Sequence, residues 1–166
     1  AVAGNDTTRT AISHGMNLLS EHPEQRAIWQ GDVEGVTPTA VEEIVRYASP
    51  VIFMRRTLHA DQELRGVELK QGDKVLLFYS SANRDADAFD DPHRFDITRT
   101  PNHHVGFGGP GPHFCLGANL ARREITIMFR ELFKRLPDIH TVGEPDYLNS
   151  NFVNGIKHLR AEFTPV

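Results

Sequence analysis

Residues 106–120 read GFGGPGPHFCLGANL: five glycines and two prolines crowd around the only cysteine of the chain, directly before an amphipathic run. A regular helix or strand does not pass through such a segment. Glycine loses too much conformational freedom in a regular element, and each proline removes a backbone donor. The fold is therefore divided here, between the elements that precede a stiff loop and a helix that starts after it. Cys115 stands just before Leu116-Gly117, at the mouth of that helix, where unpaired N–H groups and the helix dipole favour negative charge on the sulfur. The loop is built to present a sulfur ligand rigidly.

With 166 residues, 39% hydrophobic and 24% charged, the chain has the means for one domain with a sizeable core. A formal charge of -4 gives no bias toward polyanions, so nucleic acid is not an expected partner. One cysteine makes no internal disulfide, and nothing points to an oxidising compartment. No apolar run reaches membrane-span length and no signal peptide is visible, so the expected setting is cytoplasmic with no membrane span. The opening, AVAGNDTTRTAISHGMNLLSEHP, lacks an initiator methionine and already reads as helix. It reads as cut from a longer chain, in which an upstream anchor would go unseen.

Apolar Ile12, Met16 and Leu19 recur at helical spacing before Pro23, which predicts a helix from the start of the chain to Glu21. HPEQRAIWQGD predicts a short second helix and GDVEGVTP a turn-rich connector. Thr37-Pro38 then serves as N-cap and first turn of a third helix, closed by Ser49 and Pro50. VIFMRRTL and DQELRGVELKQGDKVLLFY carry strand signals punctuated by Arg65-Gly66 and Gln71-Gly72-Asp73. SSANRDADAFDDPHRFD is polar and turn-rich, with room for a short helix. After the glycine-rich loop, Leu120, Ile125, Met128, Phe129 and Leu132 are expected to share the buried side of a long helix. The tail is expected to pair strands around Asn154-Gly155, a good hairpin dipeptide. The fold class is mainly α with small β-sheets.

Taken alone, Cys115 admits several chemistries. It could be a buried structural residue. It could join His103, His104 and His113 around zinc, although structural zinc sites prefer two regularly spaced ligand pairs. It could be a nucleophile activated by His113, although two positions along a loop do not fix a base against a thiol. It could also be the axial thiolate of a haem iron.

FGGPGPHFCLG resembles the haem-ligand loop of the cytochrome P-450 monooxygenases, with a histidine two residues before the cysteine and a glycine two after it. The usual signature has an aromatic seven residues before the cysteine; Gly108 stands there, and Phe107 is one position earlier, as in a close group of bacterial members. Glu43-x-x-Arg46 lies on one face of the third helix and resembles the family's buried structural lock, joined by an arginine from a Pro-x-Arg-Phe segment, here Arg94 of Pro92-His93-Arg94-Phe95. AGNDTT resembles the family's oxygen groove. Arg56 and His113 occupy the places of haem-propionate ligands. Within the family the chain is most similar to bacterial, above all mycobacterial, hydroxylases of methyl-branched lipids and sterol side chains.

The resemblance implies the C-terminal haem-binding part of the cytochrome P-450 fold over residues 1–166, a single partial domain without the N-terminal portion. It implies haem b as cofactor with Cys115 as its ligand, tuned by the N–H groups of Leu116 and Gly117, with Phe107 and Gly108 in the same loop. Ala3 and Gly4 would leave room for dioxygen, Thr7 would hydrogen-bond there, and Asp6 would pass protons from solvent. Thr8 would point elsewhere. Val51, Ile52, Phe53, Met54, Phe152 and Val153 would line the pocket of a hydrophobic small-molecule substrate. Electrons would come from a ferredoxin-type donor and its reductase, with Arg122 and Arg123 either attracting an acidic partner or merely solvated. The expected function is insertion of one oxygen atom from O2 into a terminal C–H bond of a methyl-branched lipid, fatty acid or sterol side chain. The competing expectation is a truncated haem-binding or structural fragment without turnover.

Overall fold

The computed structural model describes residues 2–165, and for Val2 and Ala3 the backbone alone. Helix α1 (Val2–Glu21) buries Met16 and Leu19 and ends where Pro23 pushes His22 to φ -122°, ψ 72°, outside the helical region. Pro23 then opens α2 (Pro23–Gly31), where its missing N–H costs nothing.

Helix α3 (Val33–Ala48) begins earlier than Thr37-Pro38 suggested. Asp32 is its cap, accepting a hydrogen bond from the Gly35 amide at 2.9 Å. The supposed connector is thus the first turn, and Pro38 sits inside the helix. Thr37 is buried rather than capping: its hydroxyl donates to the Val33 carbonyl and accepts from Trp29 Nε1 at 2.9 Å. The C-terminus closes as expected, with Ser49 in the left-handed region at φ 40° and its amide bonded to the Val45 carbonyl at 3.0 Å.

Strand β1 (Phe53–Thr57) pairs antiparallel with β4 (Lys74–Phe78), Phe53 opposite Phe78. Between them β2 (Gln62–Leu64) and β3 (Val67–Leu69) form a hairpin turned by Arg65 and Gly66, both at positive φ. The one-turn helix α4 (Tyr79–Ala82) leads into a long irregular segment that ends at α5 (Ala118–Arg135). The tail adds β5 (His140–Thr141) paired with β8 (Ala161–Glu162), and β6 (Asp146–Tyr147) paired with β7 (Ile156–His158).

Asn154-Gly155 is not the turn of that last pair. Tyr147 faces Ile156, so residues 148–155 form the connection. Asn154 is held instead by the end of α3: its amide donates to the Pro50 carbonyl at 3.0 Å and its side chain to the Ala48 carbonyl at 2.8 Å. These tertiary bonds override the local turn preference.

One core joins α1, α2, α3 and α5 around Leu19, Trp29, Ile44, Ile125 and Phe129, with Phe95 and Ile97 of the irregular segment closing one side. Trp29 meets Phe129 at 4.9 Å and Phe133 edge-on at 5.2 Å. Helix α5 buries Ala118, Ile125, Phe129 and Phe133, the last three at four-residue spacing. Leu120 and Met128, expected on that side, flank the strip and are 61% and 43% exposed.

Candidate functional site

The cysteine loop hangs between α3 and α5. Gly108 adopts φ +88°, a conformation that an L side chain resists, and its amide donates to the Val105 carbonyl at 2.8 Å. The turn sends the chain past Gly109 and Gly111 and back, so that the Cys115 amide donates to the Phe107 carbonyl at 2.9 Å. The Cys115 carbonyl then accepts the Ala118 amide at 3.2 Å, joining the loop to the first turn of α5, whose cap residue is Gly117. A Cβ on Gly117 would lie 4.0 Å from Cys115 Sγ. Cys115 is exposed, and Leu116 beside it is fully so. Among the described residues nothing buries the thiol, unlike the buried structural cysteine that the sequence alone allowed.

A cavity of about 780 Å³ opens beside this loop. Gly109, Pro110, Gly111, Pro112 and His113 form one wall; Arg56, Leu76, Leu77 and Phe78 of the β1–β4 sheet form the other. The cavity thus brings together the two residues singled out as propionate ligands. Both Gly109 and Gly111 line the cavity, and a Cβ on either would meet nothing within 4 Å. Among the described residues no three His, Cys, Asp or Glu side chains are grouped to hold a bare metal ion. The donor set fits a group that brings its own ligands: one accessible thiol for iron, two basic side chains for carboxylates, and apolar walls for a flat macrocycle. It does not fit zinc on His103, His104, His113 and Cys115.

Behind the loop, Glu43 and Arg46 are wholly buried. Arg46 Nε and Nη2 donate to Glu43 at 2.7 and 2.8 Å, while its Nη1 donates to the carbonyls of Asn83 and Pro92 at 2.7 and 2.8 Å. Glu43 also accepts from the Asp96 amide at 2.9 Å and Asn102 Nδ2 at 3.0 Å. The second arginine is Arg99, with Nε 3.3 Å from Glu43 Oε2, and not Arg94. Arg94 turns its side chain to solvent beside Asp96 and offers only its carbonyl, to Arg46 Nη2 at 3.1 Å. Phe95, next in the chain, is buried against the core.

The other carboxylate of the EE pair was not singled out by the sequence. Glu42 binds Arg122 Nε at 2.5 Å and Nη2 at 2.9 Å, with His104 Nε2 at 2.9 Å. Burial alone would raise the Glu42 carboxyl, yet these hydrogen bonds and charges hold it down at about 2. Arg122 is engaged by this pair and by the face of Phe107, 4.4 Å from the ring centroid, and so is not merely solvated. Arg123 is exposed.

The residues expected to form an oxygen groove lie at the start of α1. Gly4 is exposed, Asp6 and Thr7 are half-buried and Thr8 is buried; the side chain of Ala3 lies outside the described residues. Asp6 Oδ1 accepts from Arg9 Nη2 at 3.4 Å. Of the six residues expected to line a substrate pocket, five come together: Val51 bridges Val153, the Ile52 amide donates to the Phe152 carbonyl at 2.9 Å, and Phe53 meets Phe152 edge-on at 6.0 Å. Met54 follows along β1, and none of the six is among the residues lining the cavity beside the cysteine loop. His14, also unsuspected, reaches this segment from α1, its Nε2 lying 2.7 Å from the Asn154 carbonyl. Burial lowers the His14 imidazole below its ordinary value.

The methyl-branched lipid omega-hydroxylase of Mycobacterium tuberculosis (strain ATCC 25618 / H37Rv) is 60% identical over 158 residues, 95% of this chain and 37% of that protein. The steroid C26-monooxygenase of Mycolicibacterium smegmatis is 47% identical over 164 residues, 99% of this chain and 38% of that protein. The chain therefore spans well under half the length of these relatives. A Mycobacterium marinum cytochrome P450, solved in complex with pseudoionone, superposes with a TM-score of 0.95 at 51% identity over 98% of this chain and 39% of its own. Residues 1–160 match the family Cytochrome P450. With a lone accessible thiol on its loop, a cavity holding Arg56 and His113 beside it and these likenesses along almost its whole length, the chain belongs to the cytochrome P450 family.

Proposed function

We propose that the chain is the C-terminal haem-ligand portion of a haem-thiolate monooxygenase that hydroxylates a terminal carbon of a methyl-branched lipid or steroid side chain. The observation that carries the chemistry is the exposed Cys115 thiol next to a cavity shared by Arg56 and His113. The substrate class is supported by the 60% identity to a methyl-branched lipid omega-hydroxylase and the apolar cluster of Phe53, Phe152 and Val153.

Haem b on an axial cysteine thiolate is the cofactor of the family; when bound, it supplies dioxygen activation, one atom entering the C–H bond and the other leaving as water. Cys115 would hold the iron, and the Leu116 and Gly117 amides would orient toward the sulfur. Arg56 and His113 would bind the haem carboxylates through charge-assisted hydrogen bonds. In the oxygen groove, Ala3 and Gly4 would leave room for dioxygen, Thr7 would hydrogen-bond there, and the Asp6 carboxylate would pass protons in from solvent. Val51, Ile52, Met54 and their aromatic neighbours would exclude water and orient an alkyl chain. Electrons would come from a ferredoxin-type donor and its reductase.

Among the described residues no helix is long and apolar enough to cross a membrane. The test is turnover of a methyl-branched fatty acid with a ferredoxin, its reductase and isotopically heavy dioxygen. It is run on the haem-loaded chain and on the full-length protein that contains it. One heavy atom at the chain terminus in the full-length protein is expected. Absence of hydroxylated product there, with electrons delivered, contradicts the proposal.

A further inference from the structure

Two adjacent carboxylates of α3 serve different neighbours. Glu43 engages the segment at residues 94–102, whereas Glu42 engages α5 and the cysteine loop. His104 accepts the Gly106 amide on Nδ1 at 3.1 Å, which leaves Nε2 to donate to Glu42 at 2.9 Å. Its ring lies 5.8 Å from that of Phe107. Arg122, gripped through two nitrogens, covers the Phe107 face. The Phe107 carbonyl in turn accepts the Cys115 amide at 2.9 Å. A continuous line of contacts therefore runs from Glu42 through Arg122 and Phe107 to the backbone of Cys115, with His104 as a second connection.

We propose that Glu42 is a positioning residue for the cysteine loop, fixing Phe107 through Arg122 and His104 and thereby the backbone that presents Cys115. This deepens the haem-thiolate reading and rests on it for the meaning of the sulfur; the clamp itself concerns this chain's own loop. A pair that merely joined α3 to α5 would have no need to cover Phe107 or to fix a histidine within the loop.

Amide hydrogen exchange on the whole chain tests the clamp. In Glu42→Gln the Cys115 amide is expected to exchange about tenfold faster than in the wild type, as one charge-assisted contact is lost. Amides in the middle of α3 and α5 are expected to keep their protection. Unchanged protection at Cys115, or loss there in step with both helices, overturns the proposal. Should Glu42→Gln fail to fold, Arg122→Lys keeps the charge but not the two-nitrogen grip, and the same comparison decides. In the haem-loaded chain, Glu42→Gln is expected to reduce the share of the ferrous carbon monoxide complex absorbing at the thiolate position. A wild type without that band counts against the haem-thiolate reading alone, because the exchange result still decides the clamp. A wild-type band with unaltered exchange in the variant counts against the clamp alone.

Discussion

Glu43 accepts hydrogen bonds from two arginines, a backbone amide and Asn102 while fully buried, so each donor is worth more than a surface contact. Arg99→Ala is expected to destabilise by about 1–3 kcal/mol, since it withdraws a charged donor from a buried carboxylate. Arg94→Ala leaves the carbonyl that Arg46 uses and is expected to stay within about 0.5 kcal/mol. Paired urea titrations distinguish the two; a larger loss for Arg94 would contradict the assignment of Arg99. Glu43 and Arg46 were legible in the sequence because one helix fixes their spacing. The third partner was not, because it depends on how an irregular segment folds over α3. Glu42 was hidden by its neighbour: a second acid beside a recognised one reads as a solvated charge until Arg122 and His104 are seen around it.

The helices meet where side chains are absent as well as where they are large. A Cβ on Gly15 of α1 would come within 2.8 Å of both Ile44 Cδ1 in α3 and Phe129 Cζ in α5. Alanine gains about 1 kcal/mol of helix propensity over glycine, but overpacking a close core costs about 1–3 kcal/mol. Gly15→Ala is therefore expected to lower the melting temperature, and a rise would show that this junction has slack. The α3–α5 junction carries a pH signature. Glu42 is held at about 2 against an ordinary 4.5, so the native state binds its proton less readily than the unfolded chain does. Its contribution is present above about pH 4.5 and lost as pH falls toward 2. Glu42→Gln should flatten that part of the stability curve; equal slopes in variant and wild type would contradict the pairing. Periodicity located all the long helices, yet it misplaced the start of α3, because an Asp32 cap and a tolerated internal proline look in sequence like a turn followed by a cap.

Across the whole molecule, the site is assembled from segments far apart in sequence. Arg56 on β1 and His113 before the cysteine meet at one cavity, while Val51 to Phe53 meet Phe152 and Val153. The cysteine loop was legible because FGGPGPHFCLG resembles the family's haem-ligand loop; its residues alone left several chemistries open. The tail was less so, since Asn154 answers to the end of α3 and to His14 rather than to its own turn preference. Everything proposed for this site requires that Cys115 hold haem iron as a thiolate. Its most direct test is the Soret band of the haem-loaded chain, reduced under carbon monoxide. The red-shifted band of thiolate ligation is expected, and its loss in Cys115→Ala. A wild-type band typical of histidine-ligated or free haem, or a thiolate band that survives the substitution, would contradict it.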